Sequence, residues 1–80
     1  MKIYSTECFV KKYKNLPQHL QKRTDKSLNF LLKNLLHPSL RAKKYDETRG
    51  IWQARIDQKY RFYFLIEKDN YILLDIKRHK

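Results

Sequence analysis

The sequence predicts an α+β domain in which a short N-terminal strand and two helices pack on an antiparallel three-stranded meander, and three observations carry that prediction. β-branched and aromatic residues dominate three runs between Ile51 and Lys80, separated by polar clusters of turn length. Apolar and small residues recur every three or four positions from Leu20 to Leu35, the stripe of a helix lying on a sheet. Thr6 followed by Glu7 is a helix start, with a capping hydroxyl and a carboxylate in the first turn.

Within the meander, alternation assigns faces. Trp52, Ala54 and Ile56 share one face of the first run, Phe62, Phe64 and Ile66 one face of the second, and Ile72, Leu74 and Ile76 one face of the third. Directly opposite residues must point the same way, so these core sets coincide if Ile56 faces Phe62 and Ile66 faces Ile72. The loops are then Gln58-Lys59-Tyr60 and Lys68-Asp69-Asn70, with Asn70 as the left-handed residue. The same register places Arg55 opposite Tyr63, Asp57 opposite Arg61, Arg61 opposite Lys77 and Tyr63 opposite Asp75 on the outer face, with His79 one step beyond Lys77. A solvated sheet face also carries charge, but cations, a phenol and an imidazole at adjacent strand ends are the equipment for holding and cleaving a phosphodiester.

Ahead of the meander, Ile3 and Tyr4 give a short strand candidate that can join the sheet, and Phe9, Val10 and Tyr13 give the first helix its spacing. Asn15-Leu16-Pro17 breaks that helix, and Pro17 opens a second expected to run to about Leu36, before His37-Pro38 ends it. Residues 37–50 read as a loop or short edge strand anchored by Leu40. Arg41, Lys43 and Lys44 form a compact basic cluster there, suited to phosphate.

Length and composition limit the rest. A chain of 80 residues makes one domain, spanning 1–80, and the single Cys8 rules out an intramolecular disulfide and reads as a small buried hydrophobe. The N-terminus lacks a continuous apolar core, and no run approaches the roughly 20 residues that span a bilayer, so a cytoplasmic protein without a membrane partner is expected. The formal net charge of +11 implies a polyanionic or acidic partner, and residues 1–45 hold 11 Lys and Arg against 2 Asp and Glu. No P-loop, zinc pattern or dinucleotide fingerprint is present, and the acids are scattered, so neither a cofactor nor a metal is expected.

A short strand, two helices, HPSLRAKKY at 37–45, GIWQARIDQKYRFYFLIE at 50–67 and an apolar strand closing on Ile76-Lys77-Arg78-His79 together resemble the RelE/ParE superfamily of toxins from toxin-antitoxin systems. The resemblance covers essentially the whole chain and implies a β-α-α-β-β-β fold. It implies a ribosome-dependent mRNA endoribonuclease that enters the decoding site with its message, is held inactive by a cognate acidic antitoxin, and cuts by metal-independent attack of a ribose 2′-OH. Arg61 stands where relatives carry the arginine that stabilises the scissile phosphate, and His79 where they carry a proton-transferring histidine. Lys77 completes the catalytic set. Arg41, Lys43, Lys44, Arg55, Tyr63 and Arg78 form the set expected to bind RNA. Many relatives have a glutamate in place of Gln53, and an aromatic residue beyond the final histidine. The superfamily also includes toxins that inhibit DNA gyrase without nuclease residues, and a homologue that only binds its antitoxin is a further alternative.

Overall fold

The computed structural model, which describes residues 1–79, has strand β1 (Lys2–Ser5), helices α1 (Glu7–Lys14) and α2 (Gln18–Lys33), and strands β2 (Lys43–Asp46), β3 (Ile51–Arg55), β4 (Tyr60–Glu67) and β5 (Asn70–Arg78). The strands form one sheet in the order β1-β5-β4-β3-β2, with β1 parallel to β5 and the remaining pairs antiparallel. The basic segment after α2 therefore supplies an edge strand, and the N-terminal strand supplies the other edge.

Thr6 joins the first strand to the first helix. Its hydroxyl accepts from the Phe9 N–H at 3.3 Å and donates to the Leu73 carbonyl at 2.9 Å, capping α1 while tying it to β5. Thr6→Ala should therefore cost about 1–2 kcal/mol, read as a lower urea midpoint with an unchanged slope. No loss would show that the cap is supplied by other groups. The second helix ends at Lys33, three residues short of the expected Leu36. Asn34 turns the chain: its backbone is extended, and its side-chain oxygen accepts from the Leu36 N–H at 3.0 Å.

One sheet face is covered by the helices. Leu31 and Phe9 meet Ala54, Ile56, Phe62, Phe64, Leu73 and Ile76, with Leu40 plugging the gap left by the 37–42 segment. Thr24 is fully buried in the middle of α2, and its hydroxyl is satisfied by the Leu20 carbonyl at 2.8 Å. Cys8 is exposed rather than buried, because it stands one position, roughly 100° around the helix, from the inward-facing Phe9. Its Sγ lies 3.6 Å from Asp75 Oδ1. Among the described residues no helix is long and apolar enough to cross a membrane.

The register departs from expectation in two places. Between β3 and β4, Ala54 pairs with Phe62 and Arg55 with Arg61, a shift of two residues that keeps the faces but changes the partners. The cause is Asp57, whose carboxylate accepts from the Lys59 and Tyr60 N–H groups at 2.8 and 2.7 Å. This closes the turn over Asp57-Gln58-Lys59 and admits Tyr60 to the strand. Between β4 and β5, Glu67 pairs with Asn70 across a two-residue loop in which Lys68, not Asn70, takes a left-handed φ of 54°. That even loop reverses the parity of the first half of β5, so Tyr71 and Leu73 face the core and Ile72 faces out. A bulge then restores parity: Tyr63 pairs with Asp75 but Phe64 with Leu73, leaving Leu74 as the extra residue. Ile76 returns to the core, as expected, while Ile72 and Leu74 are displaced from it. On the helix-free face, Tyr4, Ile72, Leu65 and Ile51 consequently form an apolar row across four strands.

Candidate functional site

The corrected register places three cations side by side. Arg55 pairs with Arg61, and Arg61 with Lys77, across β3, β4 and β5 on the helix-free face. Like charges directly opposite each other destabilise a sheet. Asp75, which pairs with Tyr63 two residues from Lys77, does not neutralise them. It is drawn to the α1 edge, where its Oδ1 meets Lys12 Nζ at 3.2 Å and accepts from the Ile76 N–H at 2.8 Å. The only ion pairs among the described residues are Lys12–Asp75 and Arg49–Asp46, so the row faces solvent uncompensated.

The turn at Asp57 organises this row. Its carbonyl accepts from Arg61 Nη1 at 2.7 Å and from Arg55 Nε at 3.3 Å, while the Tyr60 carbonyl accepts a second bond from Arg61 Nη1 at 3.1 Å. The Lys59 carbonyl accepts from the His79 N–H, which holds the residue after β5 against the same turn. The protein bonds of the Arg61 guanidinium thus run through Nη1, leaving Nη2 and Nε for a ligand. Such an anchored fork suits two oxygens of one phosphate.

Around these groups lies a concave site of about 200 Å³ lined by Arg41, Lys43, Gln53, Arg55, Arg61 and His79. Arg41 reaches it from a left-handed backbone, φ 45°, and Lys43 from the edge strand opposite Gln53. Gln53 is 9% exposed and sits within the pocket. Its neutral amide leaves the charge of the surrounding cations in place, where a carboxylate would offset part of it. Among the described residues no group of three or more His, Cys, Asp or Glu side chains converges.

Not every residue selected from the sequence is brought to this pocket. Lys77 borders it through Arg61, with Nζ 5.6 Å from the centre of the Tyr63 ring. Tyr63 is 8% exposed, covered by Lys77 and by the edge of Tyr45 at 4.8 Å, so it supports the site rather than offering a free ring. Burial, then the adjacent Tyr45 phenol and Asp75, raise its hydroxyl pKa against the opposing pull of Arg61. The phenol stays protonated. Lys44 lies on the other sheet face, opposite Trp52 and 5.2 Å from its ring centre, because it neighbours Lys43 in a strand. Arg78 is likewise turned away, beside Tyr60 and Ile76. Sequence reasoning missed Tyr45, which is 53% exposed on the bulged edge strand and borders the site through Tyr63. Its position two residues after Lys43 was the available signal.

No family model matches the chain, and no curated protein matches it by sequence. Solved structures do match its fold. A YoeB/ParE toxin from Agrobacterium tumefaciens superposes with a TM-score of 0.80 at 12% identity, covering 100% of both chains. The RelB-RelE antitoxin-toxin complex from Methanococcus jannaschii gives 0.77 at 22% identity over 94% of this chain and 88% of that one. The YoeB dimer from Staphylococcus aureus gives 0.74 at 21% identity over 100% and 98%. The fold is thus the RelE/ParE-like one expected from the sequence, with β2 as a fifth strand and a parallel β1 that makes the sheet mixed.

Proposed function

We propose that this chain is the toxin of a toxin-antitoxin pair and that its helix-free face cuts messenger RNA in the decoding site of the ribosome. The observation that carries this reading is the uncompensated row Arg55–Arg61–Lys77 beside the pocket that holds His79. A sheet that sets three cations together without a carboxylate is built for an anion, and an imidazole beside them adds proton transfer.

In the proposed reaction the RNA backbone lies across the pocket with the scissile phosphate at Arg61. His79 accepts the 2′-OH proton, O2′ attacks phosphorus, and the bond to the 5′-oxygen breaks. The products are a 2′,3′-cyclic phosphate and a 5′-OH whose proton comes from water at the open face, and His79 releases the proton it accepted to the hydroxide that this leaves. Arg61 offsets the charge of the phosphorane, Arg55 and Lys77 hold the flanking backbone, and Arg41 with Lys43 grips the strand at the edge. Tyr45 offers an exposed ring for a neighbouring base, a contact worth about 1–3 kcal/mol in single-strand binding. The antitoxin, an acidic chain, covers the apolar row of Tyr4, Ile72, Leu65 and Ile51. That row leaves Tyr4 50% exposed and is the kind of surface a small domain conceals with a partner. The cytoplasm, where ribosomes translate, is the matching compartment.

Purified protein added to ribosomes programmed with a defined message should give a discrete cut in the decoding site, with a cyclic phosphate on the upstream fragment. An intact message in the presence of folded protein would overturn the nuclease, and inhibition of gyrase supercoiling would then identify the non-catalytic alternative. The two adjacent lysines supply a finer test. Lys43→Ala should weaken RNA binding and lower the log–log salt slope by about 0.7, one single-strand phosphate contact, whereas Lys44→Ala should leave both unchanged. Equal losses from the two variants would refute the assignment of only Lys43 to the binding face.

A further inference from the structure

A second cationic cleft lies on the far side of Arg55. It has a volume of about 360 Å³ and receives Arg23 and Lys26 from α2, Ser39 from the segment after the helix, and the Asp57 turn. Arg55 lines both this cleft and the pocket that holds Arg61 and His79.

The surroundings of Arg55 explain how it reaches both. Its N–H donates to the Leu40 carbonyl at 2.7 Å, and its carbonyl accepts from the Ser27 hydroxyl at 3.0 Å. These bonds consume the backbone at the end of β3 and pin that strand corner to α2 and to the segment after it, so that Arg55 is shared by the two hollows. Arg23, Lys26 and Arg55 form no ion pair among the described residues. Asp57, which also lines the cleft, spends its Oδ1 on two N–H groups of its own turn. Phe30 makes an apolar wall, stacked on His37 at 3.9 Å between ring centres, with Lys26 Nζ 5.8 Å from its own. Cations held in no ion pair, hydroxyls and an aromatic wall are the features of a groove that tracks a single nucleic-acid strand.

We infer that this cleft binds the RNA strand adjoining the scissile phosphate, so that the substrate runs from the Arg61 pocket over Arg55 to Arg23 and Lys26. The inference rests on the nuclease reading of the first pocket and adds a direction to it. The enzyme engages RNA on one side of the cut for several nucleotides, and substrate length sets affinity.

The test uses the full chain and single-stranded oligonucleotides of increasing length, with 2′-deoxyribose at the cleavage position so that binding is read without cleavage. Charge is removed in the double variant Arg23→Gln/Lys26→Gln and, as a control of equal charge change, in Lys11→Gln/Lys14→Gln on α1. For oligonucleotides long enough to span both hollows, the α2 variant should lose about tenfold or more in affinity, since each charge-assisted contact is worth on the order of that factor. Its salt slope should fall by about 1.4. Oligonucleotides that fill only the first pocket should bind it as they bind the parent, and the α1 variant should match the parent at every length. A loss equal in the two variants, or equal at all lengths, would reduce the cleft to bulk charge and overturn the inference. Length-dependent binding by the parent that the α2 variant retains would overturn it while leaving the nuclease reading intact. Failure of the parent to bind any oligonucleotide would overturn the inference, whereas the nuclease reading stands or falls on the cut in programmed ribosomes.

Discussion

Arg61→Ala is expected to lower the single-turnover rate of message cleavage by roughly 10² or more, the size seen when one preorganised charge-stabilising donor is lost, while ribosome binding persists. The reason is geometric. Two turn carbonyls hold Nη1 of Arg61 at 2.7 and 3.1 Å, so the guanidinium is oriented before substrate arrives, and its remaining nitrogens need no reorganisation to meet developing charge. Arg61→Lys should recover little, because an ammonium cannot satisfy the turn and bridge two phosphate oxygens at once. The fold should survive both changes. The side chain points away from the helices, and the Asp57 carbonyl it vacates keeps its bond from Arg55 Nε. His79→Ala should cost a comparable factor, about 10² to 10⁴. Cleavage by Arg61→Ala at the parent rate would remove the proposed centre, and loss of its folded circular dichroism spectrum would instead show a structural role.

The Arg61 argument was partly legible in the sequence. Alternation alone placed Arg55, Arg61, Tyr63 and Lys77 on the face opposite Phe62 and Phe64, because parity depends only on which residues are apolar. Which residue stands beside which depends on where the turns close, and alternation does not give that. Alternation makes Asp57 the last residue of a strand and pairs it with Arg61, which would neutralise the row. In the fold its carboxylate caps its own turn and its carbonyl anchors Arg61, so the cations stand closer together and less compensated than expected. The error in β5 has a similar origin. Ile72, Leu74 and Ile76 alternate cleanly, and nothing in their composition marks Leu74 as a bulge. The bulge is required only once Lys68-Asp69 is recognised as an even loop, and a left-handed lysine is an unusual signal for one. The basic cluster at Arg41, Lys43 and Lys44 was legible as a cluster, but strand alternation divides it between two faces. Residues far apart in sequence that share Arg55, such as Arg23 and Ser39, leave no local pattern from which their cleft could have been read.

Phe64→Ala is expected to be the most damaging single change to stability, at about 3–5 kcal/mol. A domain of this length has roughly 4–12 kcal/mol in total, so the variant should approach its unfolding threshold at 37 °C. Phe64 is fully buried on the central strand β4. Its ring lies between neighbours from three strands: Phe62 at 5.5 Å, Tyr71 edge-on at 5.6 Å and Trp52 at 6.3 Å. Its Cα partner Leu73 is the last residue before the bulge. Removing the ring therefore opens a void between β3 and β5, at the point where the strand changes parity. Rigid neighbours collapse poorly into such a space, and the cavity cost adds to the lost transfer free energy. Leu65→Ala, one residue along and on the helix-free face, should cost much less, because that side chain is only half-buried and packs against no helix. Urea unfolding followed by Trp52 fluorescence and by circular dichroism would measure both. Equal losses at positions 64 and 65 would mean that the two faces of the sheet are not divided as described, and the assignment of Arg61 to the open face would fall with them.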